Sequence, residues 1–301
     1  MFAKIGEALK HNRKRVVTQE TFIDNNLMGA IPQTDVVDPT FLFYLLRTVD
    51  IGLANVGTAV PYVKAGTLQR LTFLVPEPVA QRRIASILGA YDDLIETNGQ
   101  RIALLKDMAR GLFEHSCCET TAQVRVLDVA SMSYGKNLPK KDLSDDADFP
   151  VYGASKIIGR HSSFTHADRT IIVGCRGTVG IFQISEPNSF ITNNSFAVVP
   201  FDRRDFLWLY YALQKRGMAD VVSGSAQPQI TLKGAERIEI PSPSEAARRQ
   251  YGTRASPLLE KTWNLTAASQ ILATSRDLLL PRLISGQLSV AAAERELLEV
   301  A

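Results

Sequence analysis

A ten-residue phrase occurs twice in this chain: IDNNLMGAIP at residues 23–32 returns as ITNNSFAVVP at residues 191–200. At this shift of 168, Gly6 falls on Gly174, Ile23 on Ile191, Asn25 and Asn26 on Asn193 and Asn194, and Pro32 on Pro200. One deletion later, at 167, Gly57 meets Gly224, Pro61 meets Pro228, Leu71 meets Ile238, Pro76 meets Pro243, Ala80 meets Ala247 and Arg82 meets Arg249. A period this long excludes a solenoid of short repeats and predicts two domain-sized units in tandem. With 301 residues, 45% of them hydrophobic, each unit has material for its own core.

The units are unequal. Residue 1 falls on residue 169, whereas the second unit already begins near Val124 (VRVLDVASMSYGKNLPKKD), so some 45 residues lack a counterpart and the first unit is expected to be shortened at its front. In the second unit TIIVGCRGTVGIF and SFAVVPF read as strands, being β-branched and aromatic runs bounded by Gly, Pro and Asn. DFLWLYYALQKRGM reads as an amphipathic helix and RIEIP as a further strand, and FLFYLLRTV and RLTFLVP are their equivalents in the first unit. The fold class expected is α+β.

Behind the first unit, QRRIASILGAYDDLIETNGQRIALLKDMARGLF carries seam residues at Ile84, Leu88, Tyr91, Ile95, Asn98, Ile102, Leu105, Ala109 and Leu112, an unbroken alternation of fours and threes. Four such heptads make a rod about 45 Å long at 1.5 Å per residue, with a seam narrow enough for one long partner helix. Asn98 sits mid-seam, where an amide costs stability but selects the one register that gives it a mate. Behind the second unit, Leu258, Leu265, Leu272 and Leu279 stand seven apart, so the partner helix is expected in the same chain. Two separate amphipathic helices are the alternative, favoured by Gly89, Gly99 and Pro257.

Several classes of chemistry find no support. No apolar run reaches 18 residues and MFAKIGEALKHNRKRVV lacks the apolar centre of a secretory signal, so a cytoplasmic protein is expected. Cys117, Cys118 and Cys175 have no zinc-ligand spacing and read as reduced thiols. The histidines His11, His115, His161 and His166 show no paired-ligand spacing and read as surface residues, and Asp92-Asp93 reads as a solvated helix face. GCRGTVG lacks the Lys-Ser/Thr of a P-loop, and no Asn-Pro-Pro-aromatic tetrapeptide is present. No catalytic residue, metal or cofactor is expected, and the net charge of +3 permits a polyanionic partner without requiring one.

PEPVAQRRIASILGAYDDLIETNGQRIALLKDMARGLF resembles the central spacer helix of specificity subunits of type I restriction-modification systems, and LLLPRLISGQL resembles the end of their C-terminal spacer. GTAVPYV and GSAQPQI resemble the ends of that family's two target recognition domains. The resemblance covers residues 1 to about 290. It implies a partial first recognition domain at 1–76, a central spacer helix at 77–116, a second recognition domain at 124–243, a C-terminal spacer at 244–286 and a tail at 287–301. It further implies an antiparallel coiled coil of the two spacers, double-stranded DNA as ligand, and methyltransferase and restriction/translocase subunits as partners that supply the chemistry.

A DNA reader needs cations for phosphates and polar side chains for base edges. The second unit offers Lys136, Lys140, Lys141, Lys156, Arg160, His161 and Arg176, followed by Ser223, Ser225, Gln227 and Gln229; the first offers Lys10, Arg13, Lys14 and Arg15. Arg176, between Gly174 and Gly177, is the foremost candidate, while the Asn pairs at 25–26 and 193–194 read as turn formers. The alternatives are a coiled-coil assembly protein that does not bind DNA and a non-functional remnant of a specificity subunit.

Overall fold

Two helices of 40 residues each start 167 positions apart, at Pro78 and Glu245, and most of the chain is organised around that repetition. The computed structural model describes residues 1–54, 61–117, 120–224 and 227–300, so Gly57, Cys118 and Ser225 lie outside the described residues. It divides into two compact units, residues 1–101 with 264–301, and residues 102–263. Helix and strand are mixed, an α+β fold.

The first unit opens with strand β1 (Phe2–Ala3), helix α1 (Glu7–Lys10) and strand β2 (Leu27–Met28), which pairs antiparallel with β1. Helix α2 (Pro39–Arg47) follows; the Asp38 carboxylate accepts hydrogen bonds from the Thr40 and Phe41 amides, and Pro39 supplies a preset first turn. After the short helix α3 (Ala65–Leu68) comes the long α4 (Pro78–Cys117). Phe2, Leu9, Ile51 and Val63 form one small core. A second core joins α2 (Phe41, Tyr44, Leu45) to α4 (Ile84, Leu88, Tyr91) and to Leu279 and Leu283.

In the second unit β3 (Gln123–Arg125), α5 (Val126–Val129) and β4 (Ala130–Tyr134) lead into β5 (Phe149–Tyr152) and β6 (Ile157–His161). Strands β7 (Ile171–Gly174), β8 (Phe182–Ile184), β9 (Phe190–Ile191) and β10 (Ser195–Pro200) follow. One antiparallel sheet has the order β4-β10-β7-β8; a smaller one, β6-β5-β9, has its β5–β9 pair parallel. Helix α6 (Phe206–Arg216) buries Trp208, Leu209 and Leu213 beneath the larger sheet's Ile171, Val173, Phe196 and Val198. Helix α7 (Leu232–Ala235) and strand β11 (Glu239–Pro241), paired antiparallel with β3, complete the unit before α8 (Glu245–Ile284); a last helix, α9 (Val290–Val300), belongs to the first unit.

The helices of the two halves of the repeat match in position. Helix α2 begins at Pro39 and α6 at Phe206, α3 at Ala65 and α7 at Leu232, α4 at Pro78 and α8 at Glu245, each pair 167 positions apart. Hydrogen bonds repeat as well. The Lys4 amide donates to the Asn26 carbonyl (2.9 Å) as Cys175 does to Asn194 (2.8 Å), and the Val63 amide donates to Lys4 (2.8 Å) as Ile230 does to Cys175 (2.9 Å). Gln81, at the start of α4, donates to the Pro76 carbonyl and accepts from the Asp38 amide; Arg248, at the start of α8, donates to the Pro243 carbonyl and the Asp205 carboxylate. One correction follows. Because Lys4 occupies the place of Cys175, Gly6 (φ +78°) corresponds to Gly177 (φ +76°) and not to Gly174, the offset being three residues greater at this strand.

A second correction concerns RLTFLVP. RIEIP forms β11 because β3 pairs with it, whereas residues 71–77 form no strand, since no backbone amide from Thr72 to Val75 finds an acceptor among the described residues. The four apolar residues Leu71, Phe73, Leu74 and Val75 are exposed.

Along α4 every anticipated seam residue is buried or half-buried: Ile84, Leu88, Tyr91, Asn98 and Ala109 are buried, Ile95, Ile102, Leu105 and Leu112 half-buried, and the fully buried residue near the end is Phe113. On α8 Leu265 and Leu279 are buried, Leu258 and Leu272 half-buried. A second heptad series alternates with those leucines: Ala255, Thr262, Ser269, Arg276 and Leu283 are all buried or half-buried. Within the first unit the Asn98 amide donates to Ser269 Oγ (3.3 Å) and Arg276 pairs with Asp92, so the two helices run antiparallel there. Asp92 is therefore not a solvated carboxylate, because it also accepts the Tyr44 hydroxyl at 2.6 Å; Asp93 is exposed. Burial first, and donation of its hydroxyl to the Asp92 carboxylate second, hold the Tyr44 phenol far above its usual range.

Candidate nucleic-acid interface

At one end of the larger sheet four turns of the second unit meet. Strand β4 runs on to Gly135 and Lys136; a Cβ at 135 would collide with the carbonyl oxygens of Ile191 and Thr192, so only glycine lets the chain pass there. The Lys136 amide donates to the Ile191 carbonyl (2.9 Å), and the Asn193 amide donates to that of Lys136 (3.0 Å). These bonds tie the turn after β4 to the turn between β9 and β10. Asn193 Nδ2 adds a bond to Asn137 Oδ1 at 3.3 Å.

Strand β7 enters the third turn, where Gly177 supplies the left-handed conformation that reverses the chain. The Arg176 amide is held by the Asn194 carbonyl (3.1 Å), leaving the side chain exposed, with its guanidinium carbon 5.2 Å from the centre of the Tyr134 ring. Tyr134 is itself fixed, opposite Phe196 in the β4–β10 register and 4.7 Å from it ring to ring. The fourth turn closes on a reciprocal pair: the Ser223 and Gln229 amides donate to each other's carbonyls at 2.8 Å, and Gln229 bridges to Arg176. Thus Lys136, Arg176 and Gln229 come together with Ser223, and Gln227 is exposed on the same turn; Ser225 lies outside the described residues.

The other candidates lie elsewhere. Lys140 and Lys141 are exposed on a 3-10 turn, and Lys156 is exposed in the β5–β6 hairpin. The Arg160 guanidinium is engaged by the carbonyls of Ala147 (2.5 Å) and Asp148, and His161 accepts from the Ser163 amide (3.0 Å) with its ring against Phe190. His161 and His166 are half-buried and so not plain surface residues; burial first, and the neighbouring Lys136 cation second, lower the His166 pKa.

In the first unit Lys10 pairs with Glu7 (2.8 Å) and Lys14 donates to Asn12 Oδ1 (2.6 Å) and the Val49 carbonyl, while Arg13 and Arg15 are exposed. Burial lowers the Lys14 pKa, in keeping with a lysine that holds a loop together. At the corner equivalent to Arg176 stands Ile5, so the two units do not present the same chemistry.

Tyr134 and Asn137 are the members of this cluster that the sequence did not single out, and Asn193, read as a turn former, stands in the turn between β9 and β10. An aromatic at the end of a strand carries no mark of the arginine stacked on it. Among the described residues no group of three or more His, Cys, Asp or Glu side chains could hold a metal ion, and no helix is long and apolar enough to cross a membrane.

A family model for the type I restriction modification DNA specificity domain matches residues 13–107 and 119–269. The specificity subunit of the type I restriction enzyme MjaIX from Methanocaldococcus jannaschii is 23% identical over 314 residues, covering 87% of this chain and 72% of that protein. The HindI specificity subunit from Haemophilus influenzae is 28% identical over 125 residues, covering 40% of this chain and 27% of that protein. In fold, the chain is similar to the crystal structure of a type I restriction-modification S subunit from M. genitalium, with TM-score 0.61 at 19% identity over 94% of this chain and 82% of that one.

Proposed function

The chain belongs to the type I restriction modification DNA specificity family, and on that premise we propose that it is the subunit that reads a bipartite duplex DNA target and brings methyltransferase and restriction/translocase subunits to it. In this reading residues 1–76 and 124–243 are the two recognition lobes, 77–116 and 244–286 are spacers paired as an antiparallel coiled coil, and the protein works in the cytoplasm without catalysing a reaction itself. Helices of 40 residues extend about 60 Å at 1.5 Å per residue, long enough to span more than one turn of B-DNA at about 34 to 36 Å.

The observation that carries the reading is the corner built by Tyr134, Lys136, Arg176, Ser223 and Gln229. An arginine already stacked on a ring loses little freedom on presenting its fork to guanine O6 and N7, and Gln229 suits adenine N6 and N7. Lys136 is suited to a phosphate, a contact that anchors without specifying. The test is selection of bound sequences from a random duplex pool with the methyltransferase subunit present, followed by titration of the selected duplex at several salt concentrations. Arg176→Ala should weaken the selected duplex by about 1–3 kcal/mol and relax the preference at one position, whereas Lys136→Ala should weaken all duplexes alike and lower the salt slope by about 1. Weak, salt-insensitive affinity with no sequence enriched would favour a purely assembling protein.

A further inference from the structure

Residues 71–75 and their duplicates at 238–242 have matching patterns and opposite surroundings. Ile238 and Ile240 are 0% exposed, but Leu71 and Phe73, which stand 167 positions before them, are 41% and 40% exposed, and Leu74 is 89% exposed. The difference has a visible source. In the second unit β3 pairs along β11, with Ile240 opposite Val124 and Glu239 opposite Arg125; the Val126 amide donates to the Ile238 carbonyl at 2.9 Å and the Ser242 amide to the Ala122 carbonyl at 2.9 Å. In the first unit no backbone amide from Thr72 to Val75 has an acceptor among the described residues. The segment is nonetheless held at both ends, by the Leu71 amide on the Leu68 carbonyl (3.0 Å) and by Gln81 on the Pro76 carbonyl (2.8 Å).

An apolar run whose backbone has no partner among the described residues, anchored at both ends, is a template for strand addition. We propose that residues 71–75 form a docking edge for one extended segment of a polypeptide other than a second copy of this chain, with the alternating apolar character of Val124-Arg125-Val126, which pairs antiparallel with it as β3 pairs with β11. The internal duplicate identifies the occupant. Val124 stands opposite Ile240 and the Val126 amide holds the Ile238 carbonyl, and all four belong to the same core, so a segment presenting two apolar side chains two residues apart would stand beside Phe73 and Leu71 in the same way. The copy of this strand at 123–125 is engaged by β11 and so is not itself the occupant of residues 71–75 in the same molecule. Peptide docking is read without DNA, so its failure would leave the proposed recognition role untouched.

The probe is a synthetic peptide spanning residues 120–134 of this chain, titrated into the full-length protein, with backbone hydrogen exchange as the readout. The expected result is at least tenfold slower exchange of the amides at 72–75, lost with the same peptide carrying Val124→Asp and Val126→Asp, and lost in Phe73→Asp protein. Because Phe73 is 40% exposed, the variant's melting curve is compared with the parent's, and where it melts lower, Phe73→Thr is used in its place, which should also lose the protection. Three results would overturn the proposal: amides 72–75 unprotected at saturating peptide, protection equally strong with the aspartate peptide, or protection already present in the free protein and dependent on its concentration. The last would make a second copy the occupant.

Discussion

Replacing Asn98 by leucine sets two effects of known size against each other. Asn98 is 8% exposed, and its amide donates to Ser269 Oγ at 3.3 Å, the long end for such a bond, so the loss belongs near the bottom of the range of about 0.5–1.5 kcal/mol. Ser269 is not orphaned by the change, because its hydroxyl also donates to the Leu265 carbonyl at 2.9 Å. Leucine branches at Cγ as asparagine does, and burying its apolar body is worth about 1.5–3 kcal/mol. Asn98→Leu should therefore stabilise the pairing around residue 98 by about 1 kcal/mol. A chain with two compact units is not expected to melt in one step, so the assay is hydrogen exchange of residues 95–102 and 265–272, which should slow about fivefold. Exchange fivefold faster would refute the argument and make the amide a net stabiliser. The register role is separate: cysteine cross-links between α4 and α8 should form at more alternative spacings in Asn98→Leu than in the parent.

Other perturbations have clear directions. Arg276→Leu should destabilise the first unit by about 1–2 kcal/mol, measured by urea unfolding; Asp92 loses its closest cation, but its side chain is 33% exposed and keeps Tyr44, which reduces the penalty of a fully buried orphan. Gly177→Ala should cost about 1–2 kcal/mol in the second unit, since an alanine at φ +76° is strained, and thermal melting followed by proteolysis would detect it. His166 is held with a lowered pKa, so the unfolded chain binds its proton more readily; its contribution to stability is complete above about pH 6.5 and falls away as pH drops toward the folded value. His166→Gln should flatten that part of the stability profile, and an unchanged slope between about pH 5 and 6.5 would count against it.

How far the sequence carried depends on the range of the interaction concerned. Duplication, α+β class and the rod at Ile84–Leu112 were legible because each is written locally, as matching phrases or as side chains at helical spacing. The polar half of the α8 seam, Thr262, Ser269 and Arg276, shares the spacing of seven but lacks the apolar side chains that mark a seam in sequence. Asp92 was misjudged for a different reason. Nothing beside it in the chain reveals that Tyr44 and Arg276, 48 and 184 positions away, converge on it.

By itself, then, the sequence determined that this protein is built twice over and that each copy ends in a long amphipathic rod. Only the tertiary structure decided which repeated segments become the same thing. A strand exists when a neighbour satisfies its backbone, so RIEIP is β11 beside β3 while RLTFLVP, with the same pattern, is not a strand. The same dependence on distant partners gathers Arg176, Tyr134 and Gln229 at one corner and engages Arg160 with carbonyls elsewhere. Side-chain type and spacing are properties of the chain, but a hydrogen-bond partner from another turn exists only once the chain has folded.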